Sequence, residues 1–121
     1  MKHRKTGRKL SRVKRQREAL MKTLLGSLIM SEKIITTEAK AKEAKLLIDK
    51  IINKAKKSKA DSKLKVSTVR GLKNKIPSGA VDKLRGDFLN KFNKRKSGYT
   101  RVVKLPPRKS DSAKIAVIEF V

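Results

Sequence analysis

His3 is the only histidine in the chain, and there is no cysteine. A histidine that works as a general base needs a partner to orient it, and the nearest acid in sequence is Glu18. Without thiolates, and with a single imidazole, the usual zinc ligand sets are out of reach. No pair of acids has the spacing of a metal motif. The glycines are scattered singly, so no glycine-rich phosphate loop is present. The ten carboxylates read as helix caps and local ion-pair partners. Neither an enzyme nor a cofactor or metal is expected.

The chemistry this sequence can do is anion binding. Lys and Arg number 35 against 10 Asp and Glu, a formal charge of +25 on 121 residues. Such an excess opposes compaction by self-repulsion, so it calls for a polyanionic partner. The densest stretch is Met1 to Arg17, with Lys2, Arg4, Lys5, Arg8, Lys9, Arg12, Lys14, Arg15 and Arg17 and no acid before Glu18. Residues 1–10 read as a basic arm that cannot bury enough apolar surface to order itself in water. A nucleic-acid backbone is the commonest array of fixed charge that would order it. His3 needs no acid partner to contact RNA, and Gly7 lets the arm bend close to a backbone.

Other classes fit less well. The aromatic residues are Phe88, Phe92, Tyr99 and Phe120. That is too few for a module that stacks successive bases, so phosphates and RNA shape are the expected targets. No helix carries the Trp or Phe cluster of an interfacial membrane helix, and the apolar runs are too short for a span. The absence of cysteine fits a reducing compartment. The N-terminus lacks the apolar core of a secretory signal and the Ser-rich amphipathic pattern of a transit peptide.

The elements that must position these cations follow from hydrophobic spacing. Leu20, Leu24, Leu25, Leu28 and Ile29 predict a helix capped by Ser11 and running to about Met30. Its first turns are cationic, against the helix dipole, which suggests compensation by an external anion. Lys33 to Thr36 is β-prone. Thr36 or Thr37 caps a long helix whose stripe is Ala44, Leu47, Ile48, Ile51, Ile52 and Ala55. Its later lysines, Lys50 to Lys57, read as a solvated face, whereas Lys40 and Lys42 lie near the Thr-Thr turn and are RNA-contact candidates. A weaker helix, capped by Asp61 or Ser62, contains Leu64, Thr68, Val69 and Leu72. Ser78 caps a fourth, with Val81, Leu84, Phe88, Leu89 and Phe92 on one face, ending near Gly98. Tyr99 to Leu105 and Lys114 to Val121 predict an antiparallel hairpin around Pro106 to Ser112. Both faces of the last strand are apolar, so it should be central or covered on both sides. The expected architecture is α+β. About four helices pack on a small sheet that contains the C-terminal hairpin, with residues 11–121 as one domain behind the arm.

Several segments together resemble one known family. Met1-Lys2-His3-Arg4-Lys5-Thr6-Gly7-Arg8-Lys9-Leu10, Arg17-x-Ala19 and Gly26-Ser27-Leu28 are similar to segments of the bacterial-type large-subunit ribosomal protein L17 family. So are Thr36-Thr37 with Lys40-Ala41-Lys42-Glu43, Gly98-Tyr99-Thr100-Arg101 with Lys104, and Arg108 with Asp111 and Ala113. Departures from the family pattern are Lys2 for Arg, Gln16 for His, Ser110 for Gly, and Pro106-Pro107 in the hairpin. The resemblance implies a structural component of the large subunit. It would bind 23S-type rRNA near the outer side of the peptide exit tunnel, beside other large-subunit proteins. It extends the candidate RNA-binding set to Tyr99, Thr100, Arg101, Lys104 and Arg108, with the adjoining Arg95, Lys96 and Lys109. The expected location is the cytoplasm, in the ribosome, with an organellar ribosome as the variant. The rival from another class is a nucleoid-type DNA-binding protein, with Pro106-Pro107 as a conceivable wedge.

Overall fold

The computed structural model describes residues 3, 7–60, 63 and 65–121. The expected lack of order over residues 1–10 and the helix cap at Asp61 or Ser62 fall largely outside these residues. The element order is α1 (Lys14–Ser31), β1 (Lys33–Thr37), α2 (Glu38–Ala60), α3 (Lys65–Lys73) and α4 (Ser78–Arg85), then a 3-10 segment (Asp87–Phe92), β2 (Thr100–Lys104) and β3 (Ile115–Phe120). This is the expected α+β architecture. The strands form one antiparallel sheet in the order β1-β3-β2. The β-prone Ile34-Ile35 supplies the third strand, and the C-terminal strand is central.

α2 is the hub. Its stripe falls on one face because apolar residues recur every three or four positions. Ala41, Ala44, Ile48 and Ile52 are fully buried. The helix touches α1, α3, α4, the 3-10 segment and all three strands. It starts where the notional cap predicts, with the Lys40 amide donating to Thr37 Oγ1 at 3.4 Å. The sheet lays Ile34, Ile118 and Val102 side by side toward the helices, by the pairing of Ile118 with both neighbours. One residue on, Ile35, Val117 and Val103 form a row on the opposite face. Its outer members are exposed, Ile35 by 65% and Val103 by 45%, while Val117 between them is only 8% exposed. β3 is therefore central, yet the helices cover only one of its faces.

All four aromatic rings converge in one cluster. Phe92 lies 5.3 Å from Phe88, Phe120 and Tyr99, and Phe88 meets Phe120 edge-on at 5.1 Å. The geometry is the tilted and T-shaped packing that the ring quadrupoles favour.

Three local expectations are corrected. Ser11 does not cap α1. Leu10 and Ser11 both have positive φ, 53° and 54°, and form a tight turn closed by the Arg12 amide donating to Lys9 O at 3.1 Å. The helix begins three residues later, after Val13. Ser78 is likewise the first helical residue rather than the cap. Pro77 holds the cap position, and its carbonyl accepts from the Ala80 and Val81 amides. The fourth helix does not run through to Phe92. It stops at Gly86, whose extended backbone (φ −90°, ψ −154°) ends α4 and lets the 3-10 segment turn its phenylalanines into the core.

Gly26 in α1 has a packing reason. A Cβ there would meet Pro77 Cδ at 2.5 Å. The glycine lets α1 approach the start of α4, and its cost of about 1 kcal/mol against Ala in a helix is offset by that contact.

Candidate nucleic-acid interface

Gly7 has φ +97°, a conformation that L side chains rarely adopt. It bends the arm against α2, where Glu43 receives Arg8 through both its main-chain amide and its guanidinium at 3.4 Å. The turn that follows is held by cations bonding to carbonyls. Arg12 donates to Leu10 O at 2.7 Å and Arg17 to Arg12 O at 3.2 Å. α1 then starts with no side-chain cap and no acid in its first turn. Lys14 and Arg15 there are exposed. Uncapped amides, the positive end of the dipole and exposed cations thus occur together in this first turn, a combination that favours anions.

A second group gathers around Glu38. Lys42 pairs with it at 2.8 Å and Lys104 at 3.6 Å. The Glu38 amide donates to Lys114 O at 3.0 Å, so the start of α2 is stitched to the start of β3. The Lys42 hydrogen bond, with the charges of Lys42, Lys104 and Lys114, holds the Glu38 carboxyl below its ordinary pKa. Glu38 and Glu43 are five residues apart on α2, about 7.5 Å along the axis. Five residues also turn the helix by roughly 140°, so the cationic zone at this end of the fold wraps from the Arg8 contact on one face of α2 to the Lys42–Lys104 pair on another. Lys114 joins this zone, although its own neighbourhood in sequence gave no sign of it.

The hairpin tip extends from the same end of β2. Arg108 forks onto Asp111 with bonds of 3.0 and 3.1 Å, and Asp111 also accepts from the Ala113 amide at 3.1 Å. The Arg108 bonds and that amide hold the Asp111 carboxyl below its ordinary range. Lys109 beside it is exposed.

Arg101 lies three residues from Lys104, about 10 Å along the strand, at the other end of β2 with Arg95 and Lys96. Arg101 pairs with Glu119 at 2.7 Å, and Lys33 completes that row at 3.7 Å. Arg95 and Lys96 are exposed, with Arg95 donating to Gly98 O at 3.4 Å. These three are not brought into the zone described above. His3 is exposed. Lys2, Arg4 and Lys5 lie outside the described residues.

Tyr99 and Thr100 correct the candidate set. Tyr99 is fully buried and Thr100 is 3% exposed. A ring enclosed in this way cannot stack on a base. The Tyr99 hydroxyl donates to Asn53 and accepts from Lys56 Nζ at 3.2 Å, and its amide donates to Asp49 at 3.3 Å. Thr100 faces the core because it shares a face with Phe120, its partner in register. Its hydroxyl has no hydrogen-bond partner among the described residues. Lys56, read as part of a solvated face, and Lys59 both reach backbone carbonyls. Lys56 bonds to the carbonyls of Phe92 and Arg95, and Lys59 to Gly86 O at 2.8 Å. They cap the chain ends that the helix break leaves open.

Glu32 and Glu119 are held below their ordinary pKa as well, Glu32 first by its Lys91 hydrogen bond and Glu119 first by that of Arg101. A carboxyl whose folded pKa is depressed binds fewer protons folded than unfolded, so it stabilises the fold above its unfolded pKa. That contribution is lost as pH falls through the lowered folded value. Thermal unfolding should therefore be flat from pH 7 to about 5 and shift to lower temperature below the ordinary carboxylate range. A midpoint that rises on acidification would contradict these pairings.

Fold and surface define the class: a small α+β domain with cations over several of its surfaces and its aromatic rings packed in or against its core. No group of His, Cys, Asp and Glu among the described residues is arranged to hold a metal, and no helix among them is long and apolar enough to cross a membrane. Residues 20–121 match the family model described as Ribosomal protein L17. The chain belongs to that family. It is 40% identical over 116 residues to the large ribosomal subunit protein bL17 of Shouchella clausii, covering 93% of this chain and 97% of that one. It is 43% identical over 117 residues to bL17 of Chloroherpeton thalassium, covering 97% of this chain and 66% of that longer one. A third relative, bL17 of Staphylococcus haemolyticus, is 38% identical over 119 residues and covered over 97% of its length, with 94% of this chain. These relatives carry the name of a ribosomal protein and not of an enzyme.

Proposed function

We propose that the chain is a structural constituent of the large ribosomal subunit that binds large-subunit rRNA through phosphates and RNA shape, in support of translation. The arm of residues 1–10 enters folded rRNA, and the domain of residues 11–121 sits behind it. The cationic zone from Arg8 through Lys14 and Arg15 to Lys42 and Lys104 is the observation that carries this reading. Arg8, Lys42 and Lys104 there are paired with Glu43 and Glu38, whereas Lys14 and Arg15 stand exposed at the uncapped start of α1, in a turn that holds no acid. The rings support the same mode: Phe88, Phe92 and Tyr99 are buried and Phe120 is half-buried against them, so they offer no platform of exposed rings for base stacking.

Family membership supports the identity of the polyanion, because the relatives are named as large-subunit proteins. The resemblance to the family supports a place near the outer side of the peptide exit tunnel, in the cytoplasmic ribosome. The sheet face that exposes Ile35 and Val103 suits a neighbouring large-subunit protein rather than phosphates.

A salt titration with a structured fragment of large-subunit rRNA, in competition with duplex DNA, tests this reading. If about eight phosphates are neutralised, log K against log salt should fall with a slope of roughly −6 to −7. The rRNA fragment should win over DNA of equal length. A flat salt response, or preference for the DNA duplex, would count against it.

A further inference from the structure

Beside the cationic zone, and sharing Arg8 and Glu43 with it, residues 7–9, α1, α2 and the end of α3 line a groove of about 860 Å³. Its floor is aliphatic. Met21, Leu25, Ile51 and Leu72 line it, all nearly buried, and Leu47 lies beside them. Its rim is cationic, with Arg17, Lys22, Lys50, Lys54 and Lys75. Arg8 and Lys9 of the arm complete the lining, so seven cations face the groove against the carboxylates Glu18 and Glu43. Glu43 is already engaged by Arg8. The helix lysines Lys50 and Lys54 thus have a recessed apolar surface between them and α1, which a plain solvated face lacks.

We propose that this groove holds an unpaired nucleotide of the bound RNA, with the base on the aliphatic floor and its flanking phosphates on the rim. The proposal rests on the RNA-binding reading above and adds a structural preference to it. A fully paired helix offers phosphates and sugar hydroxyls to a protein, and these gain nothing from a recessed apolar floor. An unpaired base has two apolar faces and brings its own phosphates, so it satisfies floor and rim together. An apolar or basic peptide segment would leave the rim cations unmatched. The floor has no ring to stack on, so the base is held by dispersion contacts with Met21 and the aliphatic side chains. Such contacts do not read hydrogen-bonding edges, and any of the four bases should be accepted.

The test uses the full chain and two RNA stems of equal phosphate count, one carrying a single bulged nucleotide and one fully paired. The bulged stem should bind about tenfold tighter. In Lys50→Glu/Lys75→Glu, two exposed positions, this preference should shrink to less than about threefold. A 4-thiouridine at the bulge should cross-link to segments 17–25 or 47–54. Equal affinity for the two stems, or cross-links confined to other segments, would overturn the proposal while leaving RNA binding intact. If neither stem binds at low salt, the RNA-binding reading itself fails. Because the chain has no cysteine, Lys50→Cys coupled to a photo-cross-linker gives one attachment site in assembled large subunits. Cross-linking there to RNA is expected, and cross-linking to a protein would overturn the proposal.

Discussion

Deletion of residues 1–9 should leave the domain folded and lower affinity for large-subunit rRNA about a hundredfold or more at 0.1 M salt. The segment carries Lys2, Arg4, Lys5, Arg8 and Lys9. If each neutralises one phosphate, the salt slope should become shallower by roughly 4. The fold has little to lose. Arg8 reaches Glu43 at 3.4 Å with its side chain 43% exposed, and an exposed pair of this kind contributes at most about 1 kcal/mol. Circular dichroism and thermal unfolding check the first half, and anisotropy with an rRNA fragment checks the second. Unfolding with retained binding would mean that the arm belongs to the core and that the cations of the domain suffice for RNA.

Tyr99→Ala should produce a large loss of stability. The ring is fully buried and packs edge-on against Phe92 at 5.3 Å. Its hydroxyl ties Asn53 and Lys56 of α2 to the entry of β2. Removing a buried aromatic side chain costs about 3–5 kcal/mol, a large share of the stability of roughly 5–15 kcal/mol that native domains have. Tyr99→Phe keeps the packing and leaves Asn53 without its donor, at a cost of about 1–2 kcal/mol. Urea denaturation measures both. RNA affinity of Tyr99→Phe should stay within about twofold of wild type, because the hydroxyl does not reach the surface. A Tyr99→Phe protein of normal stability with weakened RNA binding would restore Tyr99 to the contact set.

What could be read in advance was whatever local periodicity controls. The stripe of α2 is legible because a buried helix face must repeat every three or four residues. The β-branched run at Ile34-Ile35 and the apolar last strand show their state instead through β-branched and apolar content over a short run. Ser11 and Ser78 mislead because capping depends on backbone conformation, and a serine before an apolar run has the same composition in either case. Gly86 breaks α4 only because the 3-10 segment has to bring Phe88 and Phe92 under Phe120, a demand set by a strand thirty residues away in the chain. Tyr99 stands in a row of basic residues and reads as a surface ring. Its burial follows from Asp49, Asn53 and Lys56, which lie on α2 and have no sequence proximity to it. Lys56 and Lys59 resemble every other lysine of that helix until the chain ends they cap are placed beside them. The cationic arm was legible from charge alone, whereas the groove needed the tertiary closure of α1, α2 and α3.

The central claim is residence in the large subunit through contacts with its RNA. Sedimentation of ribosomal particles with the tagged chain, after a stringent salt wash, tests it most directly. The chain should stay with the large-subunit peak and leave it when the RNA is digested. Recovery as free protein, or with DNA, at salt that keeps other large-subunit proteins bound would contradict the account.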